Sequence, residues 1–305
     1  MRFNTFVLFI LFSNIFCVEA HIALLDDIRQ LSSEHMQGRK TGSEGAALAR
    51  QYIVKRFTEL KLHSINDNYL QPFAYGWPKK NGINVAGQLT GCRYPQRFVV
   101  VTAHYDHLGR QGRKIYHGAD DNASGVAAML ALAEKLSSSC PAYSYVFLAT
   151  DAEESGLYGS KAFIDNPLVA LDAVVLNLNL DMLGRSDKRG RLYLTGARQF
   201  PGLQQQLEDI FRQLQFLSHR GPGHLRKDNP RYNWPSASDH GPFYRADIPY
   251  LFFGGQEHSD YHQPSDTADR IDIDFLKGAL DAIWFTVQWL EQHSPDTLRP
   301  ENAER

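Results

Sequence analysis

Residues 97–106 read Arg-Phe-Val-Val-Val-Thr-Ala-His-Tyr-Asp, and this stretch decides the fold. Its apolar run does not alternate with polar residues, so a strand built from it is covered on both faces, as in a parallel sheet packed between helices. The same construction recurs along the chain. Tyr145–Ala149 leads into Asp151-Ala152-Glu153-Glu154, and Ala173–Leu180 leads into Asp181-Met182-Leu183-Gly184. Further strands are expected at Asn84–Leu89, Arg191–Leu194 and Ile248–Phe253. Helical spacing of apolar residues marks Glu44–Leu60, Ala123–Leu136, Ser155–Ile164, Leu203–Leu217 and Asp274–Gln292. Strands alternating with helices predict an α/β fold with a mostly parallel, mixed central sheet and helices on both faces. No Pro/Gly/Ser-rich linker divides residues 21–305, which are read as a single domain. The irregular stretch Ser218–Ser238 is long for a connector and is assigned to the functional face.

Working outward, the 305 residues are 43% apolar and carry a net charge of −2, with no tract of one sign. That balance gives no electrostatic basis for a nucleic-acid partner or an anionic membrane surface. Residues 1–20 combine Arg2, an apolar run over Phe6–Phe12 and a small-residue terminus at Ala20. They are expected to be a cleaved signal peptide, because the run is shorter than the roughly 18–20 residues that span a bilayer. The mature protein is then exported, to a periplasm or the cell exterior, with no stable membrane span. Cys92 and Cys140 remain, each a few residues before a neighbouring strand, and are expected to pair in an oxidising compartment.

Ligands of open α/β sheets bind beyond the carboxyl ends of the strands, and there the chemistry collects. The strand over residues 98–103 exits into His104-Tyr105-Asp106. Gly118-Ala119-Asp120-Asp121-Asn122 opens the next helix, and Tyr261-His262-Gln263-Pro264 follows the last strand. Taken singly these pieces are N-caps, dipole complements or surface pairs. Together, three carboxylates and two histidines on one rim call for divalent cations. Two Zn²⁺ ions and a bridging hydroxide would balance Asp120, Glu154 and Asp181 to neutrality, which a low-dielectric cleft favours. A donor set of nitrogen and carboxylate without thiolate suits catalytic zinc with an open position, and also Co²⁺ or Mn²⁺.

With Gln37-Gly38-Arg39-Lys40-Thr41-Gly42-Ser43 and its helix in front, and five metal-site motifs in order behind it, the chain resembles the M28 family of zinc-dependent metallopeptidases, in its di-zinc aminopeptidase group. The resemblance implies a fold of the zinc-exopeptidase type, with His104 and Asp181 on one zinc, Glu154 and His262 on the other, and Asp120 bridging. It implies that Asp106 orients the His104 imidazole, that Glu153 is the general base, and that a cis peptide follows the bridging aspartate, at Asp120–Asp121. The implied reaction is hydrolysis of N-terminal residues from peptides with a free α-amine, through a metal-bridging hydroxide. No tyrosine stands where the family would place an oxyanion-stabilising side chain.

Other residues are placed less directly. Ser238-Asp239-His240 resembles a pocket-wall segment in which His240 frames the site. Met182, Tyr232, Trp234, Phe252 and Tyr261 either line a side-chain pocket or pack in the core. His107 and His117 are expected in solvent, and Arg220, Arg226, Lys227 and Arg231 on a solvated lid. Alternatives on the same scaffold are a glutaminyl cyclase, against which His104 argues, a dipeptidase or carboxypeptidase, and a binding ectodomain without catalysis.

Overall fold

The computed structural model describes residues 23–187, 190–200, 202–203, 205–206, 217–220 and 236–298. The expected signal peptide, Tyr232, Trp234, Arg226, Lys227, Arg231 and the side chain of Arg220 lie outside the described residues. From the amino end come helix α1 (residues 23–31), α2 (Glu44–Glu59) and strands β1 (His63–Ser64), β2 (Leu70–Tyr75), β3 (Lys80–Leu89) and β4 (Tyr94–His104). A small hairpin, β5 (Gly109–Gln111) and β6 (Lys114–Tyr116), precedes an irregular turn over Ala119–Ser124 and helix α3 (Gly125–Ser137). Then follow β7 (Tyr143–Thr150), α4 (Tyr158–Asp165), β8 (Val174–Asp181), β9 (Arg191–Thr195), β10 (Leu217–Arg220), α5 (His240–Arg245), β11 (Tyr250–Gly254) and α6 (Ile273–Gln292).

The sheet runs β1-β3-β7-β4-β8-β11-β9-β10, with β2 also paired to β3. Neighbours β7-β4, β4-β8, β8-β11 and β9-β10 are parallel, whereas β3 runs antiparallel to β1, β2 and β7, and β9 antiparallel to β11. The centre is therefore parallel and the flanks are mixed, as the apolar runs predicted. Along β4, Val99, Val101 and Ala103 join one buried cluster with α2, α3 and α6, and Val100 joins another with Phe163 of α4 and Phe243 of α5. Phe147 and Phe163, on opposite faces, are both fully buried. Burying such a side chain contributes roughly 1.5–3 kcal/mol.

Local signals set the helix starts. Ser43 caps α2 by accepting from the Ala46 N–H, and Asp272 caps α6 by accepting from the Phe275 N–H at 3.0 Å. The structure also departs from the sequence reading. Leu217, expected to end a helix, instead opens β10, which pairs with β9. Strand β2 is hidden in the sequence because Pro72 interrupts it and the buried position beside it is the polar Gln71.

The parallel register fixes what stands at each end of the sheet. His104 is level with Thr150, and Gly254 with Asp181, so β4, β7, β8 and β11 finish along one edge. At the opposite end Cys92 and Cys140 are joined in a disulfide, with Cα atoms 5.8 Å apart, immediately before β4 and β7. No helix among the described residues is long and apolar enough to cross a membrane.

Candidate metal centre

The carboxyl edge of the sheet gathers its polar side chains from separate strand exits. His104 ends β4, Asp181 ends β8, Glu153 and Glu154 follow β7, and His262 lies beyond β11. Ala152, Met182 and His262 adopt the left-handed backbone region, with φ of 58°, 56° and 56°. Non-glycine residues are uncommon there, and such conformations concentrate where a side chain must be aimed.

Asp121 stands at the middle. Its Oδ1 lies 3.3 Å from His104 Nε2, and its Oδ2 lies 3.1 Å from His262 Nε2. On the far side of His104, Asp181 Oδ1 is 3.3 Å from the same Nε2. On the far side of His262, Glu154 Oε2 is 3.2 Å from its Nε2. The arrangement is thus acid–imidazole–acid–imidazole–acid, with one aspartate shared.

That shared aspartate is Asp121, and this corrects the expectation for Asp120. The Asp120 carboxylate turns away: Oδ1 accepts from the Gly184 N–H and the Ser124 hydroxyl, and Oδ2 lies 3.0 Å from His258 Nε2. Consecutive residues of a tight turn point in different directions, and Asp266 decides which points where. Its carboxylate accepts the backbone N–H groups of both Asp120 and Asp121, which orients the turn. The cis peptide is correspondingly one residue later than expected, at Asp121–Asn122.

The orientation of His104 also needs correction. Its Nδ1 lies 3.1 Å from the backbone carbonyl of Asp106, whereas the Asp106 Oδ1 is 3.8 Å away. The carboxylate is occupied elsewhere, accepting from the Glu153 N–H at 3.0 Å and from the Thr41 hydroxyl. Asp106 therefore supports His104 with its main chain and Glu153 with its side chain. Behind Asp181, Ser238 donates to Oδ2 at 2.7 Å, and Asn179 donates to Ser238 at 2.8 Å. Asn179 in turn accepts from Thr102. This buried chain occupies one oxygen of Asp181 and leaves the other facing His104.

Charge here is strongly perturbed. Burial would raise the Asp121 carboxyl, but the imidazoles of His104, His107 and His262 outweigh it and hold the group well below the usual carboxylate range. Glu153 goes the other way. Burial pushes it well above the ordinary range, helped by the negative charges of Asp181, Asp239 and Glu154 and opposed by His104. Burial would lower His262, yet its contacts with Asp121 and Glu154 raise it to about 10.

The donor set fits a cation on one further observation. Asp121 Oδ2, Glu154 Oε1 and His262 Nε2 are buried, and none makes an aligned hydrogen bond despite separations near 3 Å. Atoms within reach of one another but not directed at one another are what a shared cation requires, and left unpaired each costs roughly 1–3 kcal/mol. Two groups of potential ligands emerge among the described residues: His104 with Glu153 and Asp181, and His107 with Asp121 and Glu154.

The remaining expected residues divide. His107, expected in solvent, is buried inside the cluster with its Nδ1 2.8 Å from Glu154 Oε1. Its spacing of three from His104 would put it on the opposite face of a continuing strand, so only the turn of the loop reveals its direction. His117 sits half-buried with Nδ1 2.8 Å from the Ser32 carbonyl. His240 is fully buried, stacked on the rings of Tyr250 and Phe252, with its Nδ1 3.4 Å from Asn179 Nδ2. Tyr261 stacks on His262 at 3.9 Å. Arg39, in the leading segment, is fully buried and donates to the carbonyls of Leu31, Tyr105, His117 and Gly118. It thereby ties the exit of β4 to the loop that carries Asp121.

Comparison with known proteins gives consistent relatives. The model of peptidase family M28 matches residues 84–287. Aminopeptidase YwaD of Bacillus subtilis (strain 168) is 31% identical over 193 residues, covering 61% of this chain and 39% of that protein. The chain spans less than half the length of the curated relatives it matches first. Among solved structures, BSAP, a zinc aminopeptidase from Bacillus subtilis, superposes with a TM-score of 0.69 at 18% identity, covering 93% of this chain and 96% of that one. An Acidobacteriales bacterium glutaminyl cyclase superposes with a TM-score of 0.70 at 20% identity, covering 90% and 95%.

Proposed function

Since the chain belongs to peptidase family M28, we propose that it is a zinc-dependent exopeptidase, an aminopeptidase that removes N-terminal residues from peptides. The observation that carries this reading is Asp121, with one oxygen at His104 and the other at His262. Two zinc ions per chain complete the proposal, with Co²⁺ or Mn²⁺ as substitutes. His104 and Asp181 would hold one ion, Glu154 and His262 the other, with Asp121 shared. The charge of two dications then offsets the three carboxylates, which burial otherwise makes costly.

When bound, such ions supply Lewis acidity and lower the pKa of a water toward about 7. The protein's own groups do the rest. Glu153 takes the proton released as the scissile carbonyl is attacked and returns it to the leaving amine. A base works best with a pKa near the working pH, and burial moves Glu153 in that direction. Asp106 holds the Glu153 backbone, so the carboxyl has a fixed origin from which to reach the substrate. A free α-amine, being cationic, would be received among the carboxylates of the rim, which favours N-terminal residues over internal bonds. The disulfide between Cys92 and Cys140 supports export to an oxidising compartment.

Hydrolysis of a panel of aminoacyl-p-nitroanilides, with and without a chelator, tests the reading. Chelation is expected to abolish release, Zn²⁺ or Co²⁺ to restore it, and acetylation of the substrate amine to block it. Cleavage of acetylated substrates at an unchanged rate would refute the aminopeptidase. Cyclisation of N-terminal glutamine with one tight zinc per chain would replace it with the cyclase reading on the same fold.

A further inference from the structure

His107 takes no part in the mechanism above, yet it is 1% exposed and faces the acids. Its ring packs on Gly118, where a Cβ would come within 2.6 Å of the imidazole Cγ and where φ is +60°. Only glycine leaves room for the ring in that place. Nδ1 is 2.8 Å from Glu154 Oε1 and 3.7 Å from Asp121 Oδ2, while Nε2 has no hydrogen-bond partner among the described residues.

Nδ1 is within reach of Glu154 without making an aligned hydrogen bond to it, as His262 Nε2 is with Asp121 and Glu154. A neutral imidazole has one N–H and one lone pair, and here both ends of the ring are unsatisfied. A cation at Nδ1 removes the deficit on the side that faces the carboxylates. The spacing agrees. Donors about 2.0–2.1 Å from a tetrahedral zinc lie about 3.3 Å from one another. The separations from His107 Nδ1 to the two acids, 2.8 and 3.7 Å, straddle that value, and those from His262 Nε2, 3.1 and 3.2 Å, fall close to it.

We propose that His107 Nδ1 is a ligand of the metal held by Glu154 and His262, alongside the shared Asp121. The proposal rests on the zinc reading given above. It makes the two positions unequal. One is held by two imidazoles and two carboxylates, and the other by His104, Asp121 and Asp181. The nitrogen-rich position fills first as zinc is added, and the other keeps the open coordination that chemistry requires.

X-ray absorption of the zinc-loaded protein, with zinc titrated against a competing chelator, provides the test without reference to activity. Three imidazoles shared by two zincs give an average of about 1.5 per zinc, against about 1.0 if only His104 and His262 bind. The wild type is expected to show the higher value. His107→Ala and the better-packed His107→Asn are expected to show the lower one, with the tighter binding step weakened at least about 100-fold. A wild-type value of 1.0 overturns the proposal, even if the variants bind zinc somewhat less tightly. So does a His107→Asn protein that melts normally and binds both zincs as tightly as the wild type. Uptake of two zincs with the lower imidazole count defeats this inference alone, whereas failure to take up zinc at all defeats the enzymatic reading with it.

Discussion

Exchanging a carboxylate for an amide at two adjacent positions separates the shared acid from its neighbour. In Asp121→Asn, one oxygen facing His104 or His262 becomes an NH₂ group that repels a cation, and the charge is lost as well. Apparent binding energies of about 10–16 kcal/mol for four-ligand zinc sites amount to roughly 2.5–4 kcal/mol per ligand, or about 70- to 900-fold in affinity. Asp121 serves both positions, so both should weaken together. The expected protein retains less than one zinc per chain after gel filtration and loses turnover about 10³-fold or more. In Asp120→Asn, the acceptors for the Gly184 N–H and the Ser124 hydroxyl can remain, and the contact with His258 loses its charge. Weakening a charge-assisted bond of this kind costs about 1.5–3 kcal/mol, and at roughly 2–4 °C per kcal/mol the melting temperature falls by roughly 3–12 °C. Zinc content should stay at the wild-type value. Elemental analysis, a melting curve and one turnover assay on each variant decide the matter. Loss of zinc from Asp120→Asn, with retention in Asp121→Asn, would refute the orientation of the turn described here.

Three further outcomes are expected. Glu153→Gln should lower turnover by about 10²–10⁴ while zinc per chain stays constant, and a fall in zinc content would mean that Glu153 is a ligand rather than the base. Ser238→Ala removes the donor to Asp181 Oδ2, so a chelator competition should register roughly 10–100-fold weaker zinc at the His104 position, partly rescued by Ser238→Thr. Removing both Cys92 and Cys140 frees a closure of 48 residues, worth about 4 kcal/mol on the chain-entropy account. A lower melting temperature with unchanged turnover at 25 °C is expected, because the bridge lies at the opposite end of the sheet from the centre.

The sheet was legible because its evidence is local. Val99, Val100 and Val101 bury alternate sides into two clusters, and an uninterrupted apolar run means that in any protein. Each strand exit named its acid or imidazole for the same reason. What escaped was direction. Asp120 and Asp121 are chemically identical neighbours, and the choice between them is made by Asp266, far along the chain. His107 carries no periodic signal, and its burial depends on the room left by Gly118. Asp106 was placed correctly beside His104, but the atom that performs the contact is its carbonyl. Side-chain identity can be read along a sequence, whereas the aim of a side chain inside an irregular loop depends on contacts the sequence does not order.

The grip of Asp266 on the Asp120–Asp121 turn joins residues 146 and 145 positions apart. During synthesis the turn therefore leaves the ribosome long before the residue that aims it. A nascent chain that has reached α5 already holds His104, Asp121, Glu154 and Asp181, but neither His262 nor the carboxylate that fixes the turn. The centre thus takes shape only after Asp266 has emerged, and a chain interrupted before that point carries no finished acid–imidazole cluster.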